Sequence, residues 1–245
     1  MGANRNINSN NMSSDIQNMK TILHCDLNNF FASVECILNP ALKDLPIAVC
    51  GEPEKRHGIV LSKNMLAKNC GIKTAETIWS AKQKCKNLVC VPPQHDKYVH
   101  YSEIVKNIYY RYTDQIEPFG IDECWLDVTN SINLFKSGMN IAQKIRNNIA
   151  SETGLTVSIG VSFTKVFSKL GSDLKKPDAI TEITPENLKE IVYPLPVQNL
   201  FMIGKKTAQK LNSLNIFTLS DLAQADEKLL VSHFGINGNK MKESV

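Results

Sequence analysis

No segment of the 245-residue chain approaches the roughly 18 to 20 consecutive apolar residues that a membrane-spanning helix requires. No hydrophobic region follows the N-terminus as a secretory signal would. The chain is therefore expected to work away from membranes, in the cytoplasm. Cysteine is present in a pattern that excludes its usual structural uses: the seven residues, at 25, 36, 50, 70, 85, 90 and 124, are odd in number and contain no Cys-x-x-Cys pair. Neither a disulfide framework nor a zinc site is suggested, and a reducing compartment fits. A strong excess of one charge is missing too. Lys and Arg number 28 against 24 Asp and Glu, a net +4, which is compatible with a polyanionic partner without demanding one. No internal repeat is evident.

What is present is ordinary globular composition, 42% hydrophobic and 21% charged, with length enough for a substantial core and more than one compact unit. The first 20 residues carry six Asn with Ser and Gln, which predicts a disordered leader over residues 1–19 with Met19 as a natural start. "TILHCDL" (21–27) reads as a strand ending in an acid, Asp26, and "NNFFASVECIL" (28–38) as a helix with Phe30, Val34 and Ile37 or Leu38 on one stripe. An acid at the C-terminal end of a strand, facing a helix N-terminus, is a usual place for a phosphate or metal site. Strands at 45–51 and 58–62 flank a charged turn, "EPEKRH". Helices at 64–70 and 76–84 and a strand at 87–93 follow, and Pro92-Pro93 close what reads as an inserted block.

A long helix is predicted from His95 to Tyr112. After it comes "EPFGIDECWLDVT" (117–129), where Pro118 and Gly120 are turn signals and the residues from Cys124 onward have strand composition. Asp122 and Glu123 enter that strand together. Because strand neighbours point to opposite faces, they converge only where the turn breaks the alternation. A helix stopped by Gly154, a buried strand at 155–162, a basic helix and turn over 166–180 and a last strand complete the unit. With the inserted block set aside, the order strand, helix, strand, strand, helix, strand is that of a split-βαβ, ferredoxin-like α+β fold. That order brings Asp26 and the Asp122-Glu123 turn to one sheet edge. Beyond residue 199, short helices are predicted around a turn centred on Gly204, with a further helix from about Asn237.

Two carboxylates about 4 Å apart repel by about 4 kcal/mol at an effective dielectric of 20. A three-acid cluster therefore calls for a cation or a retained proton. Hard oxygen ligands without His or Cys point to magnesium, and two such ions suit in-line phosphoryl or nucleotidyl transfer. Spacing alone leaves open that the three acids are unrelated surface residues.

"HCDLNNFFASVE" (24–35), "GIDECWLDVT" (120–129) and "TVSIGVSFTKVFSKLGSDLKKPDAI" (156–180) together resemble the Y-family translesion DNA polymerases of the DinB type, with motifs in family order over residues 20–245. The resemblance implies a palm (20–29 and 94–183), an inserted small fingers subdomain (30–93) and a helical helix-hairpin-helix thumb (184–245), truncated, with no following little finger. It implies that Asp26, Asp122 and Glu123 are catalytic and hold two magnesium ions, with the carbonyl of Leu27 completing a shell. The aromatic pair Phe30 and Phe31 would stand at the nucleotide, Phe31 as the steric gate that excludes a 2'-hydroxyl and Phe30 also on the core stripe. Lys176, in "KKPDA", would meet the triphosphate.

The sequence departs from the family at Met65 and Lys68, where a Tyr and an Arg are usual, and at Met202, where the hairpin has its first glycine. Lys68 keeps charge for the triphosphate but loses the bidentate fork. Gly204, Lys205 and Lys206 would hold DNA phosphate independently of base sequence. The implied partners are primer-template DNA, deoxynucleoside triphosphates and, through a region absent here, a sliding clamp; a monomer is expected. Two other readings remain at this point: a nucleotide cyclase with a similar palm, and a DNA-binding accessory protein without activity.

Overall fold

The computed structural model describes residues 19–51 and 58–245. The expected leader, through residue 18, and the charged turn at 52–57 lie outside the described residues. The chain runs β1 (Ile22–Leu27), α1 (Phe30–Leu38), β2 (Ile47–Cys50), β3 (Val60–Lys63), α2 (Met65–Asn69), α3 (Ile78–Lys84), β4 (Val89–Val91), α4 (His95–Tyr109), β5 (Ile116–Phe119), β6 (Glu123–Asp127), α5 (Ile132–Phe135), α6 (Gly138–Thr153), β7 (Val157–Ser162), α7 (Lys165–Leu174) and β8 (Ile180–Ile183). Five helices follow: α8 (Leu188–Ile191), α9 (Lys205–Ser213), α10 (Leu219–Gln224), α11 (Glu227–Phe234) and α12 (Ile236–Glu243). Among the described residues no helix is long and apolar enough to cross a membrane.

The larger sheet has the order β5-β6-β1-β7-β8. Strands β7, β1, β6 and β5 are antiparallel neighbours in the ferredoxin-like arrangement, and β8 adds a parallel edge beside β7. Helices α4 and α6 pack together over one face, and α7 lies on the other along β7 and β1. Strands covered on both faces lose the simple apolar-polar alternation, and all six residues of β1 are buried. The two faces nevertheless differ in chemistry. Leu23, Cys25, Leu27, Cys124 and Leu126 join the main core with α4 and α6, whereas His24, Asp26 and Glu123 point toward α7.

Gly160 explains how α7 lies so close. A Cβ built on it would stand 1.8 Å from the Ser168 carbonyl oxygen and 2.6 Å from the Ser172 amide nitrogen, so only glycine admits the helix backbone at this distance. Gly154, at φ 74, ends α6 in the left-handed cap its position predicts.

The inserted block forms a three-stranded sheet, β3-β2-β4. One side of it, with Ala48, Cys50 and Val60, buries a small cluster against α2 and α3. Ile47 and Val49 face the other way and join the main core with Phe30 and Val34 of α1. A third cluster holds the C-terminal helices and includes Phe167 and Leu170 of α7 and Ile183 of β8. Helix α7 is therefore shared: one side seats on the sheet, the other anchors the C-terminal helices.

The structure differs from the sequence-based expectations in three places. Residues 116–119 form strand β5 despite Pro118; β5 is an edge strand, where a missing amide costs no ladder bond. The long fourth helix stops at Tyr109 instead of Tyr112. On the N-terminal side of Gly204, residues 200–203 are not helical where the sequence suggests a helix, and only a short 3-10 turn, Val197–Asn199, precedes them. Pro194 and Pro196 just before it lack the amides that a helix needs.

Candidate active site

The alternation at 122–123 is broken as the chemistry requires. Gly120 turns the chain at φ 81, Asp122 stays in the turn and Glu123 opens β6. The Leu27 amide donates to the Asp122 carbonyl at 3.0 Å, and Asp26 pairs in register with Glu123 across β1 and β6. Asp26, Leu27, Phe30, Phe31, Asp122, Glu123 and Lys176 all line one cavity of about 270 Å³, with Ser62, Lys63 and Thr74 of the inserted block on its far wall.

Two ammonium groups sit among the acids. Lys169 Nζ lies 2.8 Å from Glu123 Oε2 and 3.3 Å from Asp26 Oδ2, and Lys176 Nζ lies 2.5 Å from Asp26 Oδ2 and 2.6 Å from Asp173 Oδ1. Lys169 rides on α7 and Lys176 follows just beyond its end, so the helix and the turn after it bring both ammonium groups to Asp26. Burial works against both charges, but the carboxylates outweigh it and raise both lysines above the ordinary value. Burial pushes Glu123 upward as well, yet His24 and Lys169 prevail and hold it at about 2. Asp122 has no such partner, and burial followed by repulsion from Asp26 and Glu123 pushes it up to about 6.

His24 completes the floor of the site. It is fully buried, its Nδ1 lies 2.8 Å from Ser172 Oγ, and the Ser172 hydroxyl donates to the Lys169 carbonyl. Its Nε2 is 3.2 Å from Glu123 Oε2 without the alignment of a hydrogen bond, and neither atom has a hydrogen-bond partner. Glu123 Oε2 is thus a buried oxygen held by charge alone.

The loop that carries Lys176 is pinned by Asn28, whose Oδ1 accepts from the Asp178 amide at 2.8 Å and whose Nδ2 donates to Ser158 Oγ at 2.8 Å. Arg146 adds a two-pronged bond to the Asp178 carboxylate, at 2.8 and 2.7 Å.

The donor set fits a hard divalent cation: three carboxylates around one cavity, one of them with a buried oxygen that is ion-paired but accepts no aligned hydrogen bond among the described residues, and one with a raised pKa. As the side chains stand, no group of three His, Cys, Asp or Glu among the described residues has metal-binding geometry. Lys169 and Lys176 supply the positive charge that the cluster needs.

Lys68 is exposed on α2, and neither it nor Met65 lines the cavity. Lys63 does, donating to Thr74 Oγ1 at 3.0 Å. Burial and the neighbouring Lys68 lower its pKa, which marks a positive, partly desolvated spot suited to an anion. Sequence reasoning missed Lys63 and Lys169. The first offered no signal beyond its place at a strand end, and the second none beyond its place in the basic helix that precedes Lys176.

Gly204, Lys205 and Lys206 lie elsewhere, exposed at the N-terminus of α9. Gly204 has an ordinary φ of −75 and open space where a Cβ would stand, so the fold itself does not require glycine there. Met202 does hold a left-handed backbone, φ 72, with its side chain 82% exposed, and a glycine would adopt that conformation without strain.

Comparison with known proteins follows the same lines. The chain matches the impB/mucB/samB family over residues 25–173 and the IMS family HHH motif over residues 185–216. It is 53% identical over 216 residues to DNA polymerase IV of Acetivibrio thermocellus, an alignment covering 88% of this chain and 54% of the relative. Among solved structures, DinB from Sulfolobus solfataricus superimposes with a TM-score of 0.83 at 29% identity, over 91% of this chain and 67% of the other. The insertion ternary complex of Dbh DNA polymerase does so with 0.86 at 29%, over 91% and 66%. The chain spans about half the length of the curated relatives it matches. On these matches the chain belongs to the impB/mucB/samB family, the Y-family DNA polymerases of the DNA polymerase IV type.

Proposed function

We propose that this chain is the polymerising core of a translesion DNA polymerase, adding a deoxynucleotide to a primer 3'-hydroxyl under template direction with release of pyrophosphate. The observation that carries the reading is the convergence of Asp26, Asp122, Glu123, Phe31 and Lys176 on one cavity. Residues 20–29 and 94–183 act as palm, 30–93 as fingers and 184–245 as thumb. The separate small cluster beneath β2, β3 and β4 supports a fingers unit that moves little within itself.

Asp26, Asp122, Glu123 and the Leu27 carbonyl would hold magnesium, which when bound would supply charge neutralisation for the attacking and leaving oxygens. Two ions serve in this reading. With cations bound there, the repulsion that raises Asp122 would be relieved, and Lys169 and Lys176 would no longer neutralise the acids alone. Lys176, on a loop tied down by Asn28 and Arg146, would meet the triphosphate from beside the acids. Lys63 takes the role that the exposed Lys68 is less well placed to fill, and Phe31 blocks the space a 2'-hydroxyl needs. Lys205 and Lys206, with the free amides of the α9 N-terminus, hold DNA phosphate.

The deciding experiment is primer extension at low salt with magnesium and deoxynucleotides, beside the Asp122→Ala/Glu123→Ala double variant. Extension that the double variant loses supports the reading. Equal extension by both would assign the activity to something other than this site.

A further inference from the structure

Glu35 is a buried carboxylate, 4% exposed, on α1 one turn beyond Phe31. Burying a carboxylate is costly, and an apolar side chain of similar size is the cheaper occupant of such a helix face. Both of its oxygens are engaged by the next layer: the Tyr98 hydroxyl donates to Oε1 at 2.5 Å and Gln94 Nε2 donates to Oε2 at 2.8 Å. Tyr98 is itself fully buried. Burial and the neighbouring Glu35 both push its phenol pKa upward, so it remains a donor.

The consequence of that grip, at the hydroxyl end of the Tyr98 ring, lies on the ring's face. Tyr98 stacks on Phe31 with centroids 4.2 Å apart and planes 11° from parallel, and His95 meets the Phe31 ring edge-on at 6.0 Å. Phe31 stands half-buried at the wall of the cavity that holds the acids. Discrimination by exclusion depends on a ring that cannot tilt away, because a ring free to move yields to one extra hydroxyl at little cost.

We propose that Glu35 is a positioning residue for sugar selection: by clamping Tyr98 it fixes the plane on which Phe31 is stacked, and so sets how firmly the site rejects a ribonucleotide. The inference rests on the polymerase reading above. Glu35 does not line the cavity. It acts through Tyr98 on the stiffness of Phe31, and a substitution there should alter selectivity far more than deoxynucleotide insertion itself.

The test is single-nucleotide insertion by the whole chain, comparing kcat/KM for a deoxynucleotide and its ribonucleotide counterpart, with thermal melting recorded for each variant. Glu35→Leu and Tyr98→Phe are each expected to lower the selectivity ratio by about tenfold, through faster ribonucleotide insertion. Glu35→Gln, which keeps an acceptor for the Tyr98 hydroxyl, is expected to retain the ratio. Tyr98→Phe removes one oxygen and keeps the packed ring, so it decides the matter even if Glu35→Leu fails to fold. An unchanged ratio in Tyr98→Phe, in a protein where Phe31→Ala relaxes selection, overturns the role of Glu35 and leaves the polymerase reading standing. Failure of the unsubstituted chain to extend any primer overturns that reading, and the inference with it.

Discussion

Lys169 Nζ lies 2.8 Å from Glu123 Oε2, inside the cluster of acids and with its own side chain only 12% exposed. An ammonium in that position offsets the repulsion between Asp26, Asp122 and Glu123 when no cation is present. Lys169→Met should therefore lower stability in metal-free buffer by about 1–3 kcal/mol, as leaving a buried charge unpaired does. Added magnesium should recover more stability in the variant than in the parent. Melting curves with and without magnesium check this, and equal magnesium responses in the two proteins would contradict it.

Gly160 admits the backbone of α7, and α7 carries Lys169 and leads to Lys176. In Gly160→Ala the helix must retreat, because the obstructing atoms are backbone and cannot rotate away. Overpacking of this kind costs about 1–3 kcal/mol or more. Urea unfolding should show that loss, together with reduced primer extension at temperatures where the variant is still folded.

Gly204 and Met202 separate folding from DNA binding. Gly204→Ala should leave stability unchanged or slightly improved, since its backbone is ordinary and a Cβ there meets nothing within 4 Å. The same substitution should weaken duplex binding by about fivefold, equivalent to about 1 kcal/mol, if phosphate approaches the amides there. Met202→Gly should raise stability by up to about 1 kcal/mol by removing left-handed strain. Fluorescence anisotropy with a labelled duplex, read beside melting temperature, distinguishes the two effects.

Lys63→Ala should raise KM for the incoming nucleotide several-fold with little change in kcat, because Lys63 lines the cavity without touching the acids. Lys68→Ala should do less, since Lys68 is exposed and outside the cavity lining. Steady-state insertion kinetics decide between them. A larger effect at Lys68 would return the triphosphate grip to the position that the family motif suggests.

Asp127 supplies a pH test away from the site. Burial raises its pKa, but the Thr129 hydroxyl and amide and Lys20 outweigh burial and leave it lowered. A carboxylate with a folded-state pKa below its unfolded value stabilises the fold above the unfolded value, about 4, and loses that contribution as pH falls through the folded value. Asp127→Asn should thus be less stable than the parent at pH 7, and the gap should close below about pH 4. Denaturant midpoints measured from pH 7 to pH 3 follow it directly, and a gap independent of pH would refute the assignment.

Much of the fold and of the site is legible in the order of residues. Apolar periodicity marks β1, α1, α4, α6 and β7, and Gly154 ends α6 where its position indicates, because these elements bury one stripe or run and carry their own stop signals. The element order alone predicts neighbouring strands for Asp26 and Glu123, and motif likeness singles out Phe31 and Lys176. Pro118 misleads because its meaning depends on whether its strand lies at an edge, which is a property of the sheet and not of the tetrapeptide.

How the charges meet was settled by packing between elements. Lys169 becomes part of the site because Gly160 lets α7 descend onto β7, a contact between elements whose separation along the chain says nothing about depth. Lys63 faces the cavity while Lys68 does not, because the inserted sheet packs on α1 with one strand end at the cavity and leaves α2 on its outer side. Glu35 and Tyr98, 63 residues apart, join beneath Phe31 because α1 and α4 pack side by side. Sequence determined which groups this protein possesses and on which elements they ride. Packing determined which of them share a few ångströms of low-dielectric space, where charge, hydrogen bonding and ring stacking become strong enough to act.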